Sequence, residues 1–262
     1  MNVLAYDALS NILNQLDPTA ALIEYVGSGN MSKYFPEVQE LVEFKTKAKS
    51  KDLWDHVLQV VRGVPSDNKV VRWAAMFHDV GKPATVCEEN GEVSFNGHEV
   101  VGARLWNRIA NRLNVEKDFK DKVFLLVRLH LRFSHLAGYP NVTDTAVRRL
   151  MREAGDQLEN LYLLTIADIT STRVKKVAGN RQRCKELKDR LEQIVENDKK
   201  VVIKLPKGLG HKLRDNLGLN GPMLGKIMNE LTDKLRKGEV EMVDNFDYYV
   251  KEAEKIIVTE RK

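Results

Sequence analysis

The sequence predicts an all-α protein with one small β-hairpin. Apolar residues recur with the 3.6-residue period of amphipathic helices along most of the 262 residues. The clearest exception is TVCEENGEVSFNG, in which alternating residues flank Asn90-Gly91, the pair best suited to a two-residue type I′ turn. We therefore expect one hairpin at about residues 85–96 and helical structure nearly everywhere else.

Two helices are predicted before the hairpin. The first, at about residues 51–62, has an apolar face with the i, i+3, i+4, i+7 spacing, formed by Leu53, His56, Val57 and Val60. The second runs from about Lys69 to Val80 and is made almost wholly of residues that are usually buried (VVRWAAMF). Both helices should therefore pack into a core.

Four further helices are predicted between the hairpin and residue 172. The first begins near Gly97, and the second covers residues 118–132. The third starts at a cap formed by Thr143 or Asp144 and stops at Gly155. The fourth starts at a cap formed by Asp156 and runs to about Thr172. The hairpin has a consequence for the first of them. Because a hairpin returns the chain to where it left, His98 should lie close to His78 and Asp79.

The C-terminal third is more strongly charged. Residues 180–196 keep a thin apolar stripe on a charged helix, formed by Cys184, Leu187, Leu191 and Ile194. Residues 201–205 are interpreted as a short extended piece, and a last helix is expected from Pro222 to Gly238. These patterns place an N-terminal helical segment at 1–50, a central domain at 51–175 and a helical C-terminal region at 176–262.

Composition indicates an ordinary globular protein. Hydrophobic residues make up 43% and charged residues 30%, and the net charge of +5 favours acidic ligands without choosing among them. The two cysteines are far apart and are expected to be reduced thiols. The sequence has no apolar run of membrane-spanning length, and its start lacks the features of a signal peptide, so we expect a cytoplasmic protein.

Polar residues fall on several of the apolar helix faces. Six positions share this property: His56, His78, Asp79, His98, His130 and Asp168. A lone histidine on such a face is more often a hydrogen-bonded core residue than a ligand, by about three to one. A buried carboxylate, however, needs a cation or several donors. Six such residues on successive helices therefore favour a metal site, and mixed imidazole and carboxylate ligands suit Mn, Fe, Ni, Co or Zn.

A metal held by these ligands would activate water and neutralise phosphoryl charge. Lys82, one helical turn after Asp79, is placed to meet a substrate phosphate. The alternative, a solvent-facing lysine at the C-terminus of a helix, is about equally supported by the sequence.

The order of His56, FHDVGKP at 77–83 and Asp168 resembles the H…HD…D pattern of the HD-domain metal phosphohydrolases. From about Tyr34 to Gly238 the chain also resembles the C-terminal half of bacterial tRNA nucleotidyltransferases that carry an HD domain. The stretches that carry this likeness are YFPEV (34–38), DHVLQVV (55–61), FHDVGKPAT (77–85), FNGHEVVGARL (95–105), VRRLMREAG (147–155), LLTIADITS (163–171) and GLNGPMLGKIMNEL (218–231).

The resemblance implies a specific set of roles. It assigns the primary metal ligands to His56, His78, Asp79 and Asp168, and a second metal site or a catalytic role to His98 and His130. It implies one or two divalent transition-metal ions, with Mg²⁺ as a further candidate, and phosphatase or 2′,3′-cyclic phosphodiesterase chemistry on nucleotides. The nucleotidyltransferase head, with its Gly-Ser strand and paired aspartates, has no counterpart in the sequence, so CCA addition is not implied.

Three functions remain open at the level of sequence. The first is an enzyme that hydrolyses a phosphoester in a nucleotide, a cyclic nucleotide or an RNA end, with Asp79, Lys82, His98 and His130 as its catalytic residues. The second is a non-catalytic helical module that binds RNA or a protein partner. The third is the HD and tail subunit of a split tRNA nucleotidyltransferase. Retention of the four primary ligand positions favours the enzyme, and RNA contact is expected through the basic residues of 175–237.

Overall fold

The structure, a computed structural model, describes residues 2–44, 53–171, 177–200 and 205–260. Its N-terminal helices are α1 (Asn2–Leu13), α2 (Thr19–Gly27), α3 (Asn30–Tyr34), α4 (Pro36–Glu43), α5 (Leu53–Gly63) and α6 (Lys69–Phe77). After the hairpin follow α7 (His98–Arg112), α8 (Lys117–Gly138), α9 (Asp144–Ala154), α10 (Leu158–Thr170), α11 (Val177–Lys200), α12 (Leu209–Leu217), α13 (Gly221–Lys237) and α14 (Phe246–Glu260). The predicted all-α class with one hairpin is confirmed.

The hairpin pairs β1 (Cys87–Glu89) with β2 (Glu92–Ser94) in antiparallel register, with Glu88 opposite Val93. Its two turn residues, Asn90 and Gly91, have φ angles of 53° and 78°. A type I′ turn needs positive φ at both central positions, which is why this dipeptide marks the hairpin.

The core of the N-terminal part is built around α8, which packs against α6, α7, α9 and α10, while α5 packs against α6 and α10. Large aromatic side chains fill it, and Trp73, Phe77, Trp106 and Phe133 are fully buried. The rings of Trp73 and Phe77 stack with their centroids 5.7 Å apart. Helices α5, α7, α8 and α10 and the turn that follows α6 carry the six polar residues singled out above.

Three helix boundaries differ from the prediction. The second predicted helix ends at Phe77 rather than Val80, because residues 78–82 form turns. Helix α8 continues to Gly138, six residues beyond the predicted end at 132. Asp156 does not cap α10, because a 3₁₀ turn at Gly155–Gln157 precedes that helix. Of the two candidate caps of α9, Thr143 is the one used, and its Oγ1 accepts from the backbone N–H of Ala146 at 3.2 Å.

The turn after α6 approaches the start of α7 more closely than any side chain would allow. A Cβ atom placed on Gly81 would lie 2.3 Å from the carbonyl oxygen of His98 and 2.6 Å from the amide nitrogen of Gly102. Gly81 therefore lets the backbone that carries His78 and Asp79 lie directly against the backbone that carries His98.

The chain forms two compact units, residues 1–191 and 192–262. The second unit has its own hydrophobic core from α12, α13 and α14, which includes Leu209, Leu213, Ile227, Leu231 and Tyr249. The α11 stripe of Cys184, Leu187, Leu191 and Ile194 is buried as expected. The domain limits at 50 and 175 stay a prediction.

Some sequence-based expectations lie outside the described residues. These are the extended piece at 201–205, apart from its last residue, and the basic residues Lys175 and Lys176. The helix that was expected to run to about Thr172 ends at Thr170. Among the helices that the structure describes, none is both long and apolar enough to cross a membrane.

Candidate metal centre

The six polar residues reach one place in the core from separate elements. His56 comes from α5, His78 and Asp79 directly follow α6, and His98 is the first residue of α7. His130 lies in α8 and Asp168 in α10. All four histidines and Asp79 are buried, with 7% or less of each residue exposed. The core therefore encloses four imidazoles and two carboxylates.

The ligand atoms form two groups whose members lie within 4.8 Å of one another. In the first group, His56 Nε2 lies 3.2 Å from His78 Nε2 and 3.1 Å from Asp168 Oδ1. The second group contains Asp79, His98 and His130, and its two imidazole Nε2 atoms are 3.2 Å apart.

Asp79 lies between the two imidazole pairs. Its Oδ2 atom is 3.4 Å from His56 Nε2 and 3.3 Å from His78 Nε2. Its Oδ1 atom is 3.3 Å from His98 Nε2 and 3.9 Å from His130 Nε2. The family resemblance groups Asp79 with His56, His78 and Asp168 at one ion and gives His98 and His130 a second metal site or a catalytic role. The geometry adds that Asp79 presents one oxygen to each imidazole pair.

Hydrogen bonds at the far side of each ring fix the direction of the imidazoles. His78, His98 and His130 each donate from Nδ1 to the carbonyl oxygen three residues earlier, at 2.8, 2.7 and 2.8 Å. His56 Nδ1 lies 2.9 Å from Ser171 Oγ, whose own proton is donated to the carbonyl of Asp168. Since Nδ1 donates in this arrangement, a neutral ring has its lone pair on Nε2, the atom that faces the centre.

This donor set fits a divalent cation. Two imidazole lone pairs that face each other at 3.2 Å repel unless a proton or a cation lies between them, and the centre contains two such pairs. Neutral imidazoles together with carboxylates are the ligands that transition metals such as Mn, Fe, Co, Ni and Zn prefer. A histidine whose Nδ1 is hydrogen-bonded to a backbone carbonyl is also the common arrangement around protein metal sites.

The electrostatics of the centre favour a positive charge there. Burial by itself would raise the pKa of the Asp79 carboxyl, but the charges of His78 and Lys82 outweigh it and hold that pKa well below its ordinary value. Burial likewise opposes charge on His78, yet the nearby Asp79 carboxylate raises the His78 pKa. By contrast, burial and the neighbouring charge of His78 lower the pKa of His130 to about 3, so this imidazole is a neutral donor.

Lys82 is part of this network. Its Nζ donates to Asp79 Oδ2 at 2.5 Å, and 18% of its side chain is exposed. The lysine is therefore neither fully exposed to solvent nor distant from the centre.

Sequence reasoning missed Ser171. It lies one turn after Asp168 and joins that residue's backbone to the His56 ring, across 115 positions of sequence. Its place in LLTIADITS is visible in the sequence, but nothing in the periodicity indicates that a serine at the end of a helix would orient an imidazole from another helix.

The fold and the centre define a class: helical proteins with a buried cluster of histidines and aspartates able to hold metal ions. The family model described as "HD domain" matches residues 38–173, more than half of the chain. The chain belongs to the HD-domain family.

Relatives support this placement. The A-adding tRNA nucleotidyltransferase of Deinococcus radiodurans is 24% identical over 242 residues, which are 89% of this chain and 54% of that protein. The CC-adding tRNA nucleotidyltransferase of Thermus thermophilus is 30% identical over 237 residues, 86% of this chain and 51% of that protein. A bifunctional uridylyltransferase/uridylyl-removing enzyme of Hydrogenovibrio crunogenus is 32% identical over 107 residues, 40% of this chain and 11% of that protein. The chain spans about half the length of the first two relatives.

Proposed function

We propose that the protein is a metal-dependent phosphohydrolase that cleaves a phosphoester of a nucleotide, a cyclic nucleotide or an RNA end. The observation that carries the proposal is the convergence of four imidazole Nε2 atoms and two carboxylates at one place in the core. The Nδ1 atom of each imidazole is already hydrogen-bonded on the side away from the centre. A donor set of this kind in a buried but accessible place suits hydrolysis better than a purely structural role, because structural sites have their ligands closed around the ion.

The ligand roles follow from the two groups. His56, His78 and Asp168 would hold one ion, and His98 and His130 a second, with one oxygen of Asp79 for each. Divalent cations held in this way supply a water of lowered pKa and neutralise charge on the phosphoryl group. Two of the relatives above are tRNA nucleotidyltransferases and the third is a uridylyltransferase/uridylyl-removing enzyme, which agrees with a nucleotide or RNA substrate.

The chain's own side chains would position the phosphoester. Asp168 and Lys82 are the most exposed polar groups of the centre, each with 18% of its side chain accessible, whereas the side chains of the other members have 8% or less. Substrate would therefore enter beside them. The ammonium of Lys82 would bind a phosphate oxygen while it stays near Asp79, and the neutral His130 would remain a ligand at all but acid pH.

Product analysis tests the proposal. Protein loaded with Mn²⁺ or Ni²⁺ is screened against nucleotides, 2′,3′-cyclic nucleotides and short RNAs, and chromatography detects both free phosphate from monoesters and the nucleoside monophosphate formed when a cyclic phosphodiester is opened. We expect metal-dependent product formation from at least one class, lost on chelation and restored when the metal is added back. Stoichiometric metal binding without turnover of any of these compounds would instead favour the non-catalytic module.

A second role, RNA contact by the C-terminal unit, has its own support. Lys207, Lys212 and Arg214 lie in or beside α12, and Lys207 and Arg214 are exposed. Helix α13 begins at Gly221, and its N-cap residue, Asn220, makes no side-chain capping bond, so backbone N–H groups at this end can meet a phosphate.

Deletion of residues 200–262 should separate this role from hydrolysis. We expect the dissociation constant for single-stranded RNA to rise, because the basic residues are lost, while hydrolysis of a small phosphodiester stays nearly constant. In the intact protein log affinity should fall with log salt by about 0.7 per phosphate contacted. Affinity is measured by filter binding at several salt concentrations. Equal loss of both activities would mean that these residues only support the fold, and absence of RNA binding at low salt would end the RNA hypothesis.

A further inference from the structure

A cavity of about 520 Å³ lies between the C-terminal end of α8 and the first turns of α11. The side chains of Ser134, Tyr139, Ile169, Asn180 and Arg183 contribute to its wall, and Cys184 is buried at its edge. Sites for small organic ligands usually have volumes of about 300–1,000 Å³ and a few convergent polar groups. Nothing in the ligand assignments above uses this space.

Two of the helices that line the cavity, α8 and α10, also carry members of the candidate metal centre. Ser134 follows His130 by four residues on α8, which is about 6 Å along the helix axis. Ile169 follows Asp168, the carboxylate with the most exposed side chain of the centre. A substrate whose phosphate lies beside Asp168 could therefore extend into the cavity.

The chemistry of the wall suits a nucleobase. None of the described residues that line the cavity is acidic, and Arg183 and His135 bring donors to it. Arg183 donates to the side-chain oxygen of Asn180, which uses one of the five N–H groups of a guanidinium and orients the amide. Tyr139 has 67% of its surface exposed at the rim, and an exposed aromatic ring is a surface on which bases stack.

A neighbouring cavity of about 260 Å³ shares Ala137, Tyr139 and Arg183 with the first. Tyr139 and Arg183 thus line both cavities. A flat aromatic ring and a guanidinium at such a position are the groups that hold a base by stacking and by hydrogen bonds to its edge.

We infer that the cavity between α8 and α11 is a nucleobase site, in which Tyr139 stacks on the base and Arg183 and Asn180 bind its edge. The inference rests on the proposed function for its connection to the metal centre, and it narrows the substrate to phosphoesters that carry a base. Tyr139 and Arg183 are binding residues here and take no part in the bond cleavage.

Adenosine tests the site independently of hydrolysis, because it carries a base and no phosphate. Its binding to the Mn²⁺-loaded full-length protein is measured by equilibrium dialysis. We expect saturable binding, and a dissociation constant at least about fivefold higher in Tyr139→Ala, which removes one stacking contact. Tyr139→Phe keeps the ring and should bind like the wild type. Arg104→Ala, an exposed arginine on α7 far along the chain from the cavity, is the matched control for Arg183→Ala.

Kinetics give the second readout. With 2′,3′-cyclic AMP as substrate, Tyr139→Ala and Arg183→Ala should raise KM with a much smaller change in kcat, since the base contact is equal in ground and transition states. Failure of the wild type to bind adenosine, or equal weakening in Arg104→Ala, would overturn the nucleobase site even if the protein hydrolyses phosphoesters. Adenosine binding that depends on Tyr139, without hydrolysis of any phosphoester tested, would overturn the hydrolase and leave the site in place.

Discussion

Asp79→Ala is expected to remove bound metal and phosphohydrolase activity together. Its two carboxylate oxygens face different imidazole pairs, at 3.3 and 3.4 Å on one side and 3.3 and 3.9 Å on the other. One substitution would therefore remove a candidate ligand from both imidazole pairs. We expect activity to fall by more than about 100-fold, the upper end of what loss of an outer hydrogen-bond partner costs at metal sites.

The measurement combines metal content, phosphate release and circular dichroism of the same preparation. Asp79→Asn serves as a second variant, because it keeps the volume of the side chain and removes its charge. Asp121→Ala is the matched control, since this carboxylate pairs with Lys117 at the surface of α8. We expect both Asp79 variants to keep a helical spectrum, because the apolar core does not depend on the ion. Full metal content and full turnover in Asp79→Ala would show that the site assignment is wrong.

Gly81→Ala, which adds a single methyl group, should lower the stability of the protein markedly. The new methyl group would lie 2.3 Å from the His98 carbonyl oxygen, and a backbone atom cannot rotate away as a side chain can. We expect the start of α7 to be pushed from the turn after α6, at a cost of about 1–3 kcal/mol in the free energy of unfolding. Because His98 and Asp79 lie on the two sides of this contact, activity should fall as well.

Urea denaturation gives the stability change, and metal content gives the effect on the centre. Gly27→Ala is the control, since a Cβ atom at Gly27 would meet nothing within 4 Å and its φ is not positive. That variant should be neutral or slightly more stable. If Gly81→Ala unfolded at the same urea concentration as Gly27→Ala, the close backbone approach would not exist in solution.

The helices could be predicted from the sequence because their signals are local. The 3.6-residue period and the Asn90-Gly91 turn are contained within short stretches, so they do not depend on how the elements pack. The ends of the helices were harder to predict from the sequence. The end of α6 at Phe77 reflects the turn that Gly81 makes against α7, which is a contact between distant parts of the chain. The choice of Thr143 over Asp144 as cap depends on one residue's backbone angles.

The members of the candidate centre were visible for a similar reason. A histidine or aspartate on an apolar face is identified by its own helix, and six such positions indicated a shared site. The pairing of His98 with His130 comes only from the family resemblance, because it depends on distances between helices. The position of Asp79 between the two imidazole pairs has no signal in the sequence for the same reason. The ligand roles themselves stay predictions.

Three of the four imidazoles take their orientation from a carbonyl three residues earlier in the same stretch of chain. Each of these hydrogen bonds lies within a four-residue stretch of chain. The packing residues of the surrounding helices can therefore change during evolution without turning these rings. His56 is different, because its partner Ser171 belongs to the end of another helix. Divergence of the sequence would thus be tolerated on the α7 and α8 side of the centre and constrained where α5 meets α10.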